Sequence, residues 1–245
     1  MIVPPSEKRK GDIYIGFLPS ESNPPNIMEF LAALHCMAEC VLDKVLYAVI
    51  DIASDDNYSA STRTHRVWMG KKAALIYAPL VELFDPYYDG RSISSEEAAF
   101  RLFDLNADMQ FTLFYISAAA EDQERTKVVE RLVTNIVMRV HGFDPKMHKV
   151  MAAFYEDSRS AEVDLGRTGM RLVEEGLFGV HFIKGHGVEL PGGKTADEIV
   201  LDAIRANKAV HCVLLAPDIA QYISDHQEYR KHLSDYLSAK LGLTS

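Results

Sequence analysis

The stretch Ser22–Leu34, SNPPNIMEFLAAL, sets an amide and a carboxylate three residues apart, Asn26 and Glu29, behind the turn residues Asn23, Pro24 and Pro25. An amide can donate one neutral hydrogen bond to a phosphate. A carboxylate about 4 Å from a phosphate oxygen repels it by roughly 4 kcal/mol at an effective dielectric of 20. Glu29 therefore has three readings. It opposes a phosphate, it binds a hard cation such as Mg²⁺, or it complements the positive end of a helix dipole and turns away. Late in the chain, Gly193-Lys194-Thr195 offers a cation and a hydroxyl at the end of a glycine turn. A P-loop would need a further glycine at the position of Val188; Gly187 misses by one, and Pro191 removes a backbone donor. Thr195 also fits as the N-cap of the following helix. Between these two stretches, His65 and Arg66 open a helical run that carries the only tryptophan, Trp68, a residue suited to a nucleobase or to a core.

The elements that position these groups alternate. Ile13–Leu18, Lys44–Ile52, Met109–Ser117 and Lys149–Asp157 are apolar, β-rich runs, and FGVHFIKG and AVHCVLLA read as two more strands. Helical periodicity fills the gaps: Met28–Leu42, RVWMGKKAALIYAPLVELF with an end or kink at Pro79, SSEEAAFRLFDLN, a run closing near Gly142, a weaker run broken by Gly166 and Gly169, and TADEIVLDAIRANK. Ser94 with Glu97 has the spacing of a capping box. Continuous apolar strands between helices imply a doubly wound, Rossmann-like α/β domain with a mostly parallel sheet covered on both faces, followed by C-terminal helices. Ligands of such sheets bind beyond the carboxyl ends of the strands, where the strand order reverses. No composition shift divides the chain, so residues 1–245 read as one domain with a tail over 1–11.

The order of motifs resembles the nucleotidyltransferase superfamily, most closely the nicotinamide or nicotinate mononucleotide adenylyltransferases. Their first turn reads approximately G-x-F-N-P-P-H-x-G-H-L. Asn23, Pro24 and Pro25 match it, while Asn26 and Glu29 stand at the two histidines and Met28 at the glycine. Arg66 and Met69 follow the second strand, Ala119 and Glu121 fall where the third strand ends, and Pro217 with Tyr222-Ile223 matches the C-terminal element. The resemblance spans roughly Ile13 to Tyr229. It implies a nucleotide site built from Gly16, Asn23, Pro24, Pro25, Arg66, Trp68 and Thr195, with Asn26, Glu29 and Lys194 at the catalytic positions. It also implies adenylyl transfer from ATP, with Mg²⁺, to a mononucleotide. Losing a well-placed donor costs about 10²–10³ in rate, so the expectation is weak, altered or absent activity. A non-catalytic nucleotide-binding or regulatory protein is the alternative, and a P-loop-like phosphotransferase using Gly193-Lys194-Thr195 the third.

The formal net charge of −9 argues against a nucleic-acid groove, which demands a basic face. No apolar run nears the roughly 18–20 residues of a membrane span. Cys36, Cys40 and Cys212 are too few for a disulfide framework or zinc site and read as buried apolar residues of a reduced, cytoplasmic protein. The spaced histidines match no metal pattern. The expected partner is a small-molecule nucleotide, and homo-oligomerisation is left open.

Overall fold

The computed structural model describes residues 11–50, 60–85, 94–117, 121–139, 142–156, 163–184, 194 and 196–226. Six strands, β1 (Ile13–Ser20), β2 (Lys44–Val49), β3 (Val81–Phe84), β4 (Phe111–Ser117), β5 (His148–Glu156) and β6 (Phe178–Lys184), form one sheet in the order β3-β2-β1-β4-β5-β6. Every pairing is parallel. The first strand thus lies between the second and the fourth, as the sequence pattern requires, and the order reverses there.

Side-chain alternation splits the core into two layers. Val45, Tyr47, Val49, Phe114 and Ile116 point to one face, covered by α1 (Ile27–Cys40), α2 (Ala60–Ile76), α6 (Ala196–Arg205) and α7 (Pro217–Asp225). Ile15, Phe17, Leu113 and Tyr115 point to the other, covered by α3 (Ser95–Leu105), α4 (Asp122–Met138) and α5 (Gly166–Glu174). Gly16 belongs to the first layer: a Cβ there would lie 2.8 Å from Leu42 and 3.0 Å from Val45, so its bare backbone makes room for the strand below α1.

Three boundaries differ from the sequence reading. The long helix ends at Ile76, and Leu80 and Val81 turn back onto the Tyr77 carbonyl, freeing Val81–Phe84 to pair with β2. Pro79 is the cause, since it cannot continue the helix. The helix α4 closes on Arg139 in the left-handed region (φ 48), with its N–H on Asn135 and Ile136 carbonyls, three residues before Gly142. AVHCVLLA is a 3₁₀ turn at Ala209–His211 followed by irregular chain, not a strand. Its apolar side chains Ala209, Leu214 and Leu215 fill the layer between α6 and α7 instead. The Ser94–Glu97 capping box is present, with both reciprocal hydrogen bonds. The N-terminal tail over 1–10, the polar loop 51–59 and the last segment 227–245 lie outside the described residues.

Candidate functional site

The turn between β1 and α1 is built by β1 running out to Ser20 and the chain reversing through Ser22 (φ 51) and a cis Asn23–Pro24 peptide into α1. Strand register sets Leu18 beside Tyr47, so β2 delivers a phenol beneath the turn. Ser20 Oγ donates to Glu29 Oε2 at 2.9 Å, and Tyr47 Oη donates to the same oxygen at 2.9 Å. Since that proton is committed, Ser22 Oγ donates to Tyr47 Oη at 2.6 Å. The amide of Asn26 completes the set at 3.3 Å from Glu29 Oε1. Glu29 thus turns inward, into a cradle of hydroxyls, and not toward a ligand. Tyr47 is fully buried, and burial followed by the Glu29 charge pushes its phenol well above the ordinary tyrosine range.

Asn26 is 4% exposed and caps α1: its Oδ1 accepts from Glu29 N at 3.2 Å. Ile27 N donates to the Leu214 carbonyl at 2.8 Å, which ties the helix to the segment before α7. Two of the first three amide donors of α1 are therefore spent within the chain, which weakens this helix end as an anion site. Arg66, 3% exposed, reaches from α2 to the Glu21 carbonyl at 3.0 Å and the Ile50 carbonyl at 2.7 Å. Its guanidinium pins the loop after β1 to the end of β2. Gly70, one turn on, lets α2 lie close: a Cβ would be 2.7 Å from Val49 and 3.4 Å from Ser22 Oγ.

Asn23 differs from its neighbours. Both polar atoms of its side chain are shielded from solvent and have no hydrogen-bond partner among the described residues. Pro24 and Pro25 beside it are buried. Pro25 and Asn26 line an apolar cleft with Phe30, Tyr77, Ala216 and Ile219, so α7 closes over the same turn.

Trp68 stacks on Tyr222 with ring centroids 4.1 Å apart, and Lys72 lies 5.4 Å from its ring. Tyr222 stacks in turn on His226 and its hydroxyl meets His65 Nδ1. The tryptophan that could meet a base thus lies in an aromatic column joining α2 to α7. Lys194 is exposed and holds Asp202 of α6; that contact raises its ammonium above the usual range. Gly193 and Thr195, like Ala119, lie outside the described residues. Arg171 pairs with Glu175 at 3.5 Å on the exposed face of α5.

Sequence reasoning placed Asn26 and Glu29 together but missed Ser20, Ser22 and Tyr47. The signal for the first pair was their place at the two histidines of the resembled motif; the hydroxyls converge through the register of β1 with β2. The residues present do not supply a Mg²⁺ site at Glu29, because both its oxygens accept hydrogen bonds inside the turn. Among the described residues, no cluster of three or more histidine, cysteine or acidic side chains could hold a metal ion. No helix among them is long and apolar enough to cross a membrane. Neither a family model nor a curated protein matches the chain.

Proposed function

We propose that the chain binds a nucleotide or dinucleotide at the carboxyl edge of its sheet, on an adenylyltransferase-like fold whose first turn is closed to ordinary adenylyl transfer. The Asn23 amide carries this reading. It lies in the turn beyond β1, at the reversal of strand order where doubly wound sheets take ligands. Its two polar atoms are buried without partners among the described residues, and leaving such atoms unpaired costs about 1–3 kcal/mol. A ligand amide, base edge or sugar hydroxyl that reaches Asn23 by a small shift of the turn would satisfy both.

The same turn supports loss of transfer. Adenylyl transfer needs donors or cations on the phosphoryl oxygens. Here one candidate donor, Asn26, caps its own helix, and the carboxylate at the other position is consumed by Ser20 and Tyr47. Any Mg²⁺ would arrive as the ATP complex. Equilibrium binding of ATP and of nicotinamide dinucleotide, with pyrophosphate release measured in parallel, tests the proposal. Binding without release is expected, with slowed amide exchange over Ser22–Ile27 in the complex. Failure of both ligands to bind would overturn the nucleotide reading. Turnover of 1–10³ per second with a mononucleotide acceptor, the ordinary enzyme range, would overturn the loss of catalysis. The double variant Asn26→His, Glu29→His should raise pyrophosphate release above wild type.

A further inference from the structure

The turn between β1 and α1 is held unequally on its two sides. Toward β2 and α2 it is fixed by side chains with discrete partners. Ser22 Oγ meets Tyr47 Oη at 2.6 Å, and the Arg66 guanidinium donates to the Glu21 carbonyl at 3.0 Å. Toward α7 the turn has the hydrogen bond from Ile27 N to the Leu214 carbonyl, 2.8 Å, and the apolar cleft that Pro25 shares with Ala216 and Ile219. The arm that forms this second wall is lightly founded. It leaves α6 through Asn207 in the left-handed region (φ 57) and makes one 3₁₀ turn at Ala209–His211. It then runs through irregular chain in which Val213 is 84% exposed. α7 starts on Ala216, which supplies no side-chain cap, and alanine is a poor residue at that position.

The contacts of α7 with α2 form a ladder. Ala216 and Ile219 meet Ala73, Ile76 and Tyr77 at the end of α2. Tyr222 stacks on Trp68 with centroids 4.1 Å apart and bonds His65 Nδ1, and the His226 ring stands 5.8 Å from that of His65. The two helices therefore lie side by side and run in opposite senses. Ile219 and Ile223 are fully buried, so α7 can travel along its apolar face but not leave it, which is the shear motion of packed helices. A slide keeps the aliphatic contacts and breaks those with one fixed partner, Tyr222 on Trp68 and Leu214 on Ile27.

We propose, on the reading of the first turn as a nucleotide site, that α7 and the Cys212–Ala216 segment ahead of it are a gate over Asn23, latched by Tyr222 on Trp68. The closed gate is the state of this structure, with both Asn23 polar atoms shielded and unpartnered among the described residues. Opening frees the Ile27 amide, one of the first donors of α1, and uncovers the Pro25 side of the turn, from which a ligand group reaches Asn23. The ligand binds only the open state, so its apparent affinity is reduced by the fraction of molecules that are open. An aromatic pair of this kind shifts such an equilibrium about two- to ten-fold.

Two measurements test the gate, one without ligand. In the ligand-free chain, the Ile27 amide should exchange with deuterium faster than the amides of Ile15–Leu18 in β1. Tyr222→Ala should speed Ile27 about two- to ten-fold and leave β1 unchanged. Equal protection of Ile27 and β1, or an Ile27 rate untouched by the variant, would overturn the gate whatever the ligand is. With ATP as probe, Tyr222→Ala should bind tighter than wild type by the same factor, because the latch opposes binding; a variant that merely loosens the fold binds more weakly, and that result also overturns the gate. Trp68 is the only tryptophan, and saturating ATP should move its emission as Tyr222→Ala does without ligand. Faster Ile27 exchange in the variant with no ATP bound by either protein would keep the gate and overturn the nucleotide reading. Should Tyr222→Ala fail to fold, Tyr222→Leu keeps an apolar contact with Trp68, removes the stack and the hydroxyl, and is read in the same way.

Discussion

Glu29 is held by three donors from three separate places, Ser20 at the end of β1, Tyr47 in β2 and Asn26 at the cap. The Tyr47 hydroxyl is the centre of that arrangement, because it donates to the carboxylate while accepting from Ser22. Tyr47→Phe removes the hydroxyl and nothing else. It leaves Glu29 one donor short and Ser22 without its acceptor, inside a buried layer. Hydrogen bonds to charged groups contribute about 1.5–3 kcal/mol, so destabilisation of that order is expected from urea denaturation at neutral pH. A loss under about 0.5 kcal/mol, the range of surface substitutions, would show that the cradle does not hold the turn. The same substitution should leave binding of ATP weaker, since Ser22 and Glu29 position the chain on either side of Asn23.

At the scale of elements, two helices begin with a side-chain cap three residues ahead of a glutamate, and they have different duties. Ser94 caps α3 at the surface and only its own helix depends on it. Asn26 caps α1 and also touches the Glu29 side chain. Ser94→Ala should cost about 1 kcal/mol, and Asn26→Ala distinctly more; thermal unfolding of the two variants decides, and equal losses would reduce Asn26 to an ordinary cap. The Ser94 cap was legible in the sequence, because capping is local and its spacing is fixed, whereas Asn26 read as a donor to a phosphate and proves to cap its own helix. The central strands were legible for a related reason: apolar runs buried on both faces leave a continuous signature. β3 was not, since four residues behind Pro79 carry too little pattern to separate from the helix before them. AVHCVLLA misled because a short apolar run looks the same whether it pairs in a sheet or fills a layer between helices. The site was half legible. Asn23, Asn26 and Glu29 share one local motif, whereas Tyr47 joins them only after β1 and β2 pair.

For the whole molecule, these buried titratable groups set a pH window of stability. His148, fully buried, accepts from Asp144 N at Nδ1 and meets the Met109 carbonyl at Nε2, and burial lowers its pKa. A depressed folded value means stability that is present above the unfolded pKa and lost as pH falls through the folded one. Cys40, held down to about 6, acts in the same sense between about 6 and the ordinary thiol range, while Cys36 and His181, both raised, act in the opposite one. On the alkaline side, burial raises Tyr47, Tyr115 and Tyr155. Their contribution is whole below the unfolded value near 10 and is lost as pH rises toward the folded values. Each phenol that stays protonated in the fold and ionises in the unfolded chain removes about 1.4 kcal/mol per pH unit above 10. Stability should therefore fall steeply above pH 10. Tyr115 isolates the effect. Burial comes first among its causes and the buried Glu96 charge second, and its hydroxyl donates to Ser95 Oγ at 2.7 Å. Tyr115→Phe should lower stability at pH 7 by the lost hydrogen bond, about 1 kcal/mol, yet make the alkaline limb shallower by about 1.4 kcal/mol per pH unit. The two stability curves should converge, then cross, between pH 10 and 12. Parallel limbs for wild type and variant would mean that Tyr115 ionises as readily in the fold as outside it, and that the second core layer is open to water at the carboxyl end of β4.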